Sequence, residues 1–295
     1  MFAQDSFGKQ TGFCQTSTDM RLLLFCLIVV QLDASAANDC SCGEPVFRLP
    51  LNARAVLIYP ANLAPDGSIC YTCADYYKAG SREDRDYILR VFDGSTTRSI
   101  AALCDMTHGG LTTVQQRVDQ TLSFTQPWAA YKAGFGDVCK DCNFWLGLDA
   151  INWLTTFCGL SSARFTCSDC LGNSTYEDYK TFIVKDEASL YSLKIGGASG
   201  PGGDGLISDY VNGMAFSTLD RDHDFSPGNC ARGYKGGWWY NRCFHSSFNG
   251  IYYDGCPMET GEVPTVPYAT GINWETWQGW RTLASAAIHL RPLVS

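Results

Sequence analysis

The sequence predicts an α+β fold, in which short strands and short helices give way to a turn-rich C-terminal third held by cross-links, metal and aromatic packing. Three observations carry this. From Cys73 onward, alternating or β-branched runs are brief and long helical periods are scarce. Beyond Gly196 turns dominate, as in Gly-Pro-Gly-Gly at 200–203, yet aromatics stay frequent, with 8 Trp, 15 Tyr and 16 Phe in 295 residues. Fifteen cysteines are more than a reducing compartment leaves in use without metal, which points to secretion and disulfides.

In chain order, residues 86–92 (DYILRVF) and 112–118 (TTVQQRV) read as strands. Residues 127–133 (PWAAYKA) suit a short helix with proline at its first position, and 149–156 a second one. Residues 180–184 and 190–195 read as a pair of strands, and 286–291 (AAIHLR) as a strand that closes the fold.

Ahead of these, Met20-Arg21, the apolar run 22–32 (LLLFCLIVVQL) and Ala34-Ser35-Ala36 have the three parts of a signal peptide, placed at 20–37. The run is short for a membrane span and no other segment is longer, so membrane insertion is not expected. Residues 1–19 lie upstream, polar and without pattern. Residues 38–72 read as a separate segment with Cys40, Cys42 and Cys70, without Gly-X-Y or heptad repeats. The main domain is placed at 73–295. Its 45% apolar and 18% charged content fits a globular core, and a net charge of −8 with pI near 4.9 argues against nucleic acid and anionic lipid.

The most informative stretch is 216–250, FSTLDRDHDFSPGNCARGYKGGWWYNRCFHSSFNG. Asp220, Asp222 and Asp224 alternate ahead of a Pro/Gly turn. Hard divalent cations take several oxygens at once, and the carbonyls of a bent backbone can complete such a shell, so the pattern reads as a calcium loop. An EF-hand does not fit: counted from Asp220, Phe225 stands at the sixth position and Ala231 at the twelfth. The rival reading is a solvated acidic turn.

An ordered series of motifs resembles the fibrinogen-like C-terminal domain of ficolins, tachylectins, angiopoietins and fibrinogen: CADYYKAG (73–80), CDMTHGG (104–110), WAAYKAGFG (128–136), FWLGLDAINWLT (144–155), FSTLDRDHD (216–224), NCA (229–231), GGWWYNRC (236–243) and GINWETWQGW (271–280). The resemblance implies a fibrinogen C-terminal-like fold with a central antiparallel sheet, short helices and an irregular calcium-bearing C-terminal subdomain. It implies a Ca2+ site from the carboxylates of Asp222 and Asp224 and the carbonyls of Ser226 and Gly228, with Asp220 supporting the loop. It also implies disulfides Cys73–Cys104 and Cys230–Cys243, a cis peptide at Arg242–Cys243, and an acetyl-binding pocket at Tyr234, Cys243, Phe244, Tyr268 and Ala269. An acetyl group offers one carbonyl for N–H donors and one methyl for aromatic walls. Where many acetyl-binding members carry His after the second cysteine, this chain has Phe244, which packs but cannot donate a side-chain hydrogen bond. Leu111 stands where the family usually has Trp, and the 255–266 loop, with Cys256, is long.

Cys14 and Cys26 precede the expected cleavage, and the rest are odd in number, which invites a disulfide-linked homo-oligomer through Cys40, Cys42 or Cys70. The Cys-x-x-Cys pairs at 139/142 and 167/170 invite a zinc reading, but their separation and the expected secretion favour disulfides. No βαβ pattern supports a thioredoxin-like site. No Gly-x-Ser-x-Gly, His-Glu-x-x-His or Gly-Lys-Ser appears among the four-histidine sequence, so no enzyme is expected. Asn173-Ser174-Thr175 is a glycosylation sequon. The functional expectation is a secreted, calcium-dependent lectin for acetylated carbohydrates in innate immune recognition. The alternative is a receptor- or matrix-binding ligand of the angiopoietin-like kind.

Overall fold

The chain enters its sheet through β1 (Ile69–Tyr71), which pairs antiparallel with β2 (Arg85–Phe92). The sheet therefore begins ahead of Cys73, within what the sequence alone assigns to the preceding segment. The computed structural model describes residues 69–92, 96–254 and 266–292. The expected signal peptide (20–37), residues 1–19, Cys40, Cys42 and Cys256 lie outside the described residues.

Between β1 and β2, α1 (Cys73–Lys78) starts where the Thr72 N–H and hydroxyl both donate to the Asp75 carboxylate, at 2.9 and 2.8 Å. Then come β3 (Thr97–Asp105), β4 (Leu111–Arg117), α2 (Trp128–Ala133), β5 (Phe135–Gly136), β6 (Phe144–Trp145) and α3 (Leu148–Thr156). A further hairpin joins β7 (Ser162–Ser168) to β8 (Ser174–Val184), followed by β9 (Leu193–Ser199) and α4 (Ser208–Val211). Among the described residues, α5 (Cys230–Tyr234), β10 (Ser246–Ser247), β11 (Asn273–Trp274) and α6 (Glu275–Gln278) then lead to β12 (Ser285–Arg291).

Ten of these strands form one antiparallel sheet along β1-β2-β3-β4-β12-β7-β8-β9, with β6 on β4 and β5 on β6, while β10 pairs separately with β11. The last strand thus lies mid-sheet, between β4 and β7. Its period of two turns Ala286, Ile288 and Leu290 into the core with Ala163 and Phe165 of β7. Aromatic rings fill that core: Phe216 packs on Trp145 and Trp239, and Phe248 and Trp274 on Phe165. Trp238 and Trp239 are each 1% exposed and belong to this core.

β4 is buried at every position because the C-terminal third covers it. Its polar side chains hold that third in place of regular structure. Gln115 donates to the Phe248 carbonyl at 3.0 Å. The Arg117 guanidinium donates to the carbonyls of Phe248 (3.0 Å) and Gly250 (2.7 Å) and lies 3.9 Å over the Phe124 ring. Burial lowers its pKa to about 10, so it stays charged at neutral pH.

Some boundaries differ from expectation. Strand β9 starts at Leu193, because Leu190 and Tyr191 adopt left-handed backbone (φ 55° and 48°) that carries the Tyr191 ring into the core. Pro127 is the N-cap of α2 rather than its first residue. Cys70 is corrected as an inter-chain candidate: it is bonded to Cys158, just past α3, and so ties the first strand to the sheet's helical face. Cys73–Cys104, Cys139–Cys142 and Cys230–Cys243 are also bonded. The Cys139–Cys142 bond removes the zinc pairing. Cys167 is a buried free thiol whose surroundings push it up to about 12, leaving it protonated and inert.

Candidate functional site

The acidic loop hangs between two fixed points. At its start, Ser217 bridges to Trp238 in antiparallel fashion, and Thr218 and Arg221 exchange backbone hydrogen bonds across a tight turn. At its end, α5 begins at Cys230, with the Asn229 side chain capping the Arg232 N–H at 2.7 Å. Within this frame the three aspartates play different parts. Asp220 accepts from the Trp128 N–H (2.8 Å) and the Thr218 hydroxyl (2.7 Å), so it ties the loop to the first turn of α2. Burial opposes its charge, yet these donors hold its carboxyl below the usual range.

Asp224 accepts from the Cys230 N–H at 2.9 Å and the Ser226 N–H at 2.8 Å, one on each oxygen. Asp222 is exposed and accepts a long 3.3 Å bond from the Asp224 N–H. Partial burial, aided by the neighbouring Asp222 charge, outweighs the backbone donors and raises the Asp224 carboxyl. Two carboxylates that repel each other still have lone pairs to spare, and a divalent cation would relieve the repulsion. None of the described N–H groups donates to the carbonyls of Ser226 or Gly228. Side chains alone would not suffice: among the described residues no group of three or more His, Cys, Asp and Glu could hold a metal. Carboxylate and carbonyl oxygens together are the donor set a hard cation takes, so the residues present fit calcium.

The Cys230–Cys243 bond joins α5 to the next loop, where Arg242–Cys243 is cis. Tyr210 braces that loop: its carbonyl accepts from the Asn241 amide (2.7 Å) and its hydroxyl from the Arg242 N–H (2.9 Å). Beyond Cys243 the rings form a row. Tyr234 meets Phe244 edge-on at 4.7 Å, Phe244 meets Trp280 at 5.6 Å, and Trp280 meets Tyr268 at 5.5 Å. Phe244 is 8% exposed, enclosed by Tyr234, Tyr240 and Trp280, whereas Tyr268 is 70% exposed. Ala269 is buried with φ 58°. The structure thus brings Tyr234, Phe244 and Tyr268 together through Trp280, which sequence reasoning did not single out. The Gly279-Trp280 pair that ends GINWETWQGW was the available signal. His245 turns away from this row to the Glu275 carboxylate and the edge of Tyr210.

A cavity of about 530 Å³ lies elsewhere, bounded by Asp105, His108, Arg164, Tyr176 and His289. It shares no residue with the loop or the aromatic row, and its charged groups are already paired, Arg164 with Asp178 and His108 with Asp105. Asn173 is exposed in the β7–β8 turn, where its N–H and side-chain amide both donate to Asp169.

The Cys230–Cys243 bond thus sets the acidic loop beside the aromatic row. Residues 69–293 match the family described as fibrinogen beta and gamma chains, C-terminal globular domain, and the chain belongs to that family. It is 36% identical over 232 residues to fibrinogen-like protein 1 of Homo sapiens, covering 75% of this chain and 71% of that protein. It is 37% identical over 227 residues to techylectin-5A of Tachypleus tridentatus, covering 75% and 73%. The fibrinogen-like globe domain of human ANGPTL2 superposes with a TM-score of 0.68 at 35% identity, over 76% of this chain and 99% of that one. Among the described residues no helix is long and apolar enough to cross a membrane.

Proposed function

We propose that the chain is a secreted, calcium-dependent lectin for acetylated carbohydrates of the N-acetylglucosamine kind, acting in innate immune recognition. The observation that carries this reading is the junction at Cys230–Cys243. One bond couples the Asp222/Asp224 loop, whose Ser226 and Gly228 carbonyls accept from none of the described N–H groups, to the Tyr234–Phe244–Trp280–Tyr268 row. A cation on the loop would fix the backbone on one side of the bond. The rings on the other side offer a wall for an acetyl methyl group, and nearby N–H groups would take its carbonyl. No catalytic group is needed for such binding. Similarity to a protein named as a lectin, techylectin-5A, supports the same reading. In it, Asn173 carries a glycan: one amide hydrogen serves Asp169 and the other is replaced at the linkage. Cys40 and Cys42 remain the residues through which copies would be cross-linked.

The test is a glycan array probed with the full chain, with calcium and with chelator. Capture confined to N-acetylated sugars and abolished by chelator is the expected result. Folded, calcium-loaded protein that ignores every acetylated ligand, but captures a protein partner indifferent to free N-acetylglucosamine, would replace this reading with the receptor-ligand one.

A further inference from the structure

Of the four disulfides placed among the described residues, Cys139–Cys142 closes the shortest loop. Its cysteines are 3 residues apart, against 13 for Cys230–Cys243, 31 for Cys73–Cys104 and 88 for Cys70–Cys158. A cross-link stabilises largely by removing freedom from the unfolded chain, and a loop this short has little to remove. The bond is also reachable: Cys139 and Cys142 are half-buried and Lys140 and Asp141 between them are exposed, while Cys73 and Cys104 are fully buried.

The loop does not depend on its bond for shape. From β4 the buried Gln116 amide donates to the carbonyls of Cys139 (3.4 Å), Lys140 (2.7 Å) and Cys142 (3.0 Å). On the next residue, the Asn143 side-chain oxygen accepts from the Val118 and Asp119 N–H groups at 2.9 and 3.4 Å. Both ends of the loop are thus fastened to the sheet by groups that contain no sulfur. Opening the bond would leave the backbone where it is and place two thiols side by side at the surface.

We propose that Cys139–Cys142 is a thiol–disulfide exchange site, taking electrons from dithiols and returning them to disulfides while the domain stays folded. A dithiol's thiolate attacks one sulfur, the Cys139–Cys142 bond breaks, and a mixed disulfide forms as the other cysteine leaves as thiolate. The reductant's second thiolate then closes its own disulfide and releases the first cysteine. Two electrons and two protons pass to the loop, and oxidation reverses the step.

The test equilibrates the full chain in graded ratios of reduced to oxidised dithiothreitol, traps thiols by alkylation, and reads each cysteine by peptide mass spectrometry. As a reachable bond whose loss costs the fold little, Cys139–Cys142 is expected to open alone, at a lower ratio than the fully buried Cys73–Cys104. Tryptophan fluorescence and the thermal transition should remain native at that point. Opening together with or after the other bonds, or only on unfolding, overturns the proposal. Two variants sharpen it. Cys139→Ser with Cys142→Ser should fold with an almost unchanged transition, and failure to fold counts against the proposal. In Gln116→Ala, reducing the same bond should lower the transition, and an unchanged transition removes the pinning argument.

Discussion

Replacing Asp222 by alanine separates calcium binding from the architecture of the loop. Asp222 is exposed, and its described contact is a 3.3 Å bond from the Asp224 N–H. Without calcium its loss should cost little, within about 0.5 kcal/mol as for ordinary surface substitutions, and it removes a like charge beside Asp224. With free calcium at about 100 times its dissociation constant, the native chain should gain about 2.7 kcal/mol. For a domain of this size that is about 5–11 °C in the thermal transition. The variant should gain almost none of it. The assay is a pair of melts, native and Asp222→Ala, each in chelator and in calcium. A native protein whose transition ignores calcium, or a variant that rises as far as the native protein, would refute the assignment of the loop. A variant already destabilised in chelator would show that Asp222 holds structure instead.

Asp224→Ala should behave differently, losing about 3–5 kcal/mol even in chelator, because it strips charged acceptors from the Cys230 and Ser226 N–H groups; denaturant melts in chelator check this. Tyr268→Ala, at an exposed ring, should leave stability unchanged within about 0.5 kcal/mol and weaken N-acetylglucosamine binding about tenfold, whereas Phe244→Ala should cost about 3–5 kcal/mol as a core truncation. Two buried groups set opposing pH slopes. Burial lowers His289 from 6.5 to about 4, so as pH falls through that window the unfolded chain takes a proton the fold refuses, and roughly 3 kcal/mol of stability is lost. Burial, aided by Asp204, raises Glu177 from 4.5 to about 7, so the fold keeps a proton the unfolded chain has released, and stability falls as pH rises through that window. Glu177→Gln should therefore melt higher than the native protein at pH 8 and alike at pH 4; equal differences at both pH values would contradict the assignment.

Local patterns made much of the fold legible. The alternation in β2 and β12 and the apolar periodicity of α3 are visible because each buries one face against the core. β3 and β7 are harder to see, since Ala, Ser and Thr fill much of each and their pairing partners supply the β preference. The place of β12 between β4 and β7 is a long-range fact that no window contains. The Asp-x-Asp-x-Asp spacing marks the loop and the family resemblance sets Asp220 apart from Asp222 and Asp224; what the structure adds is the group Asp220 holds, the Trp128 N–H. Cysteine counts do not fix connectivity, so the bond between Cys70 of β1 and Cys158, just past α3, stays hidden until the fold brings them together. Trp280 completes the aromatic row across a long stretch of chain from Phe244, a closeness its sequence position does not reveal.

The central claim is that a calcium-loaded loop and the ring row beside it grip an acetyl group. Titrating N-acetylglucosamine and then glucosamine into the calcium-loaded chain, with heat or tryptophan fluorescence as readout, tests it most directly. The account predicts saturable binding of the acetylated sugar, none of the free amine, and loss of the signal when chelator is added. Equal binding of both sugars, or binding that survives chelation, would contradict it.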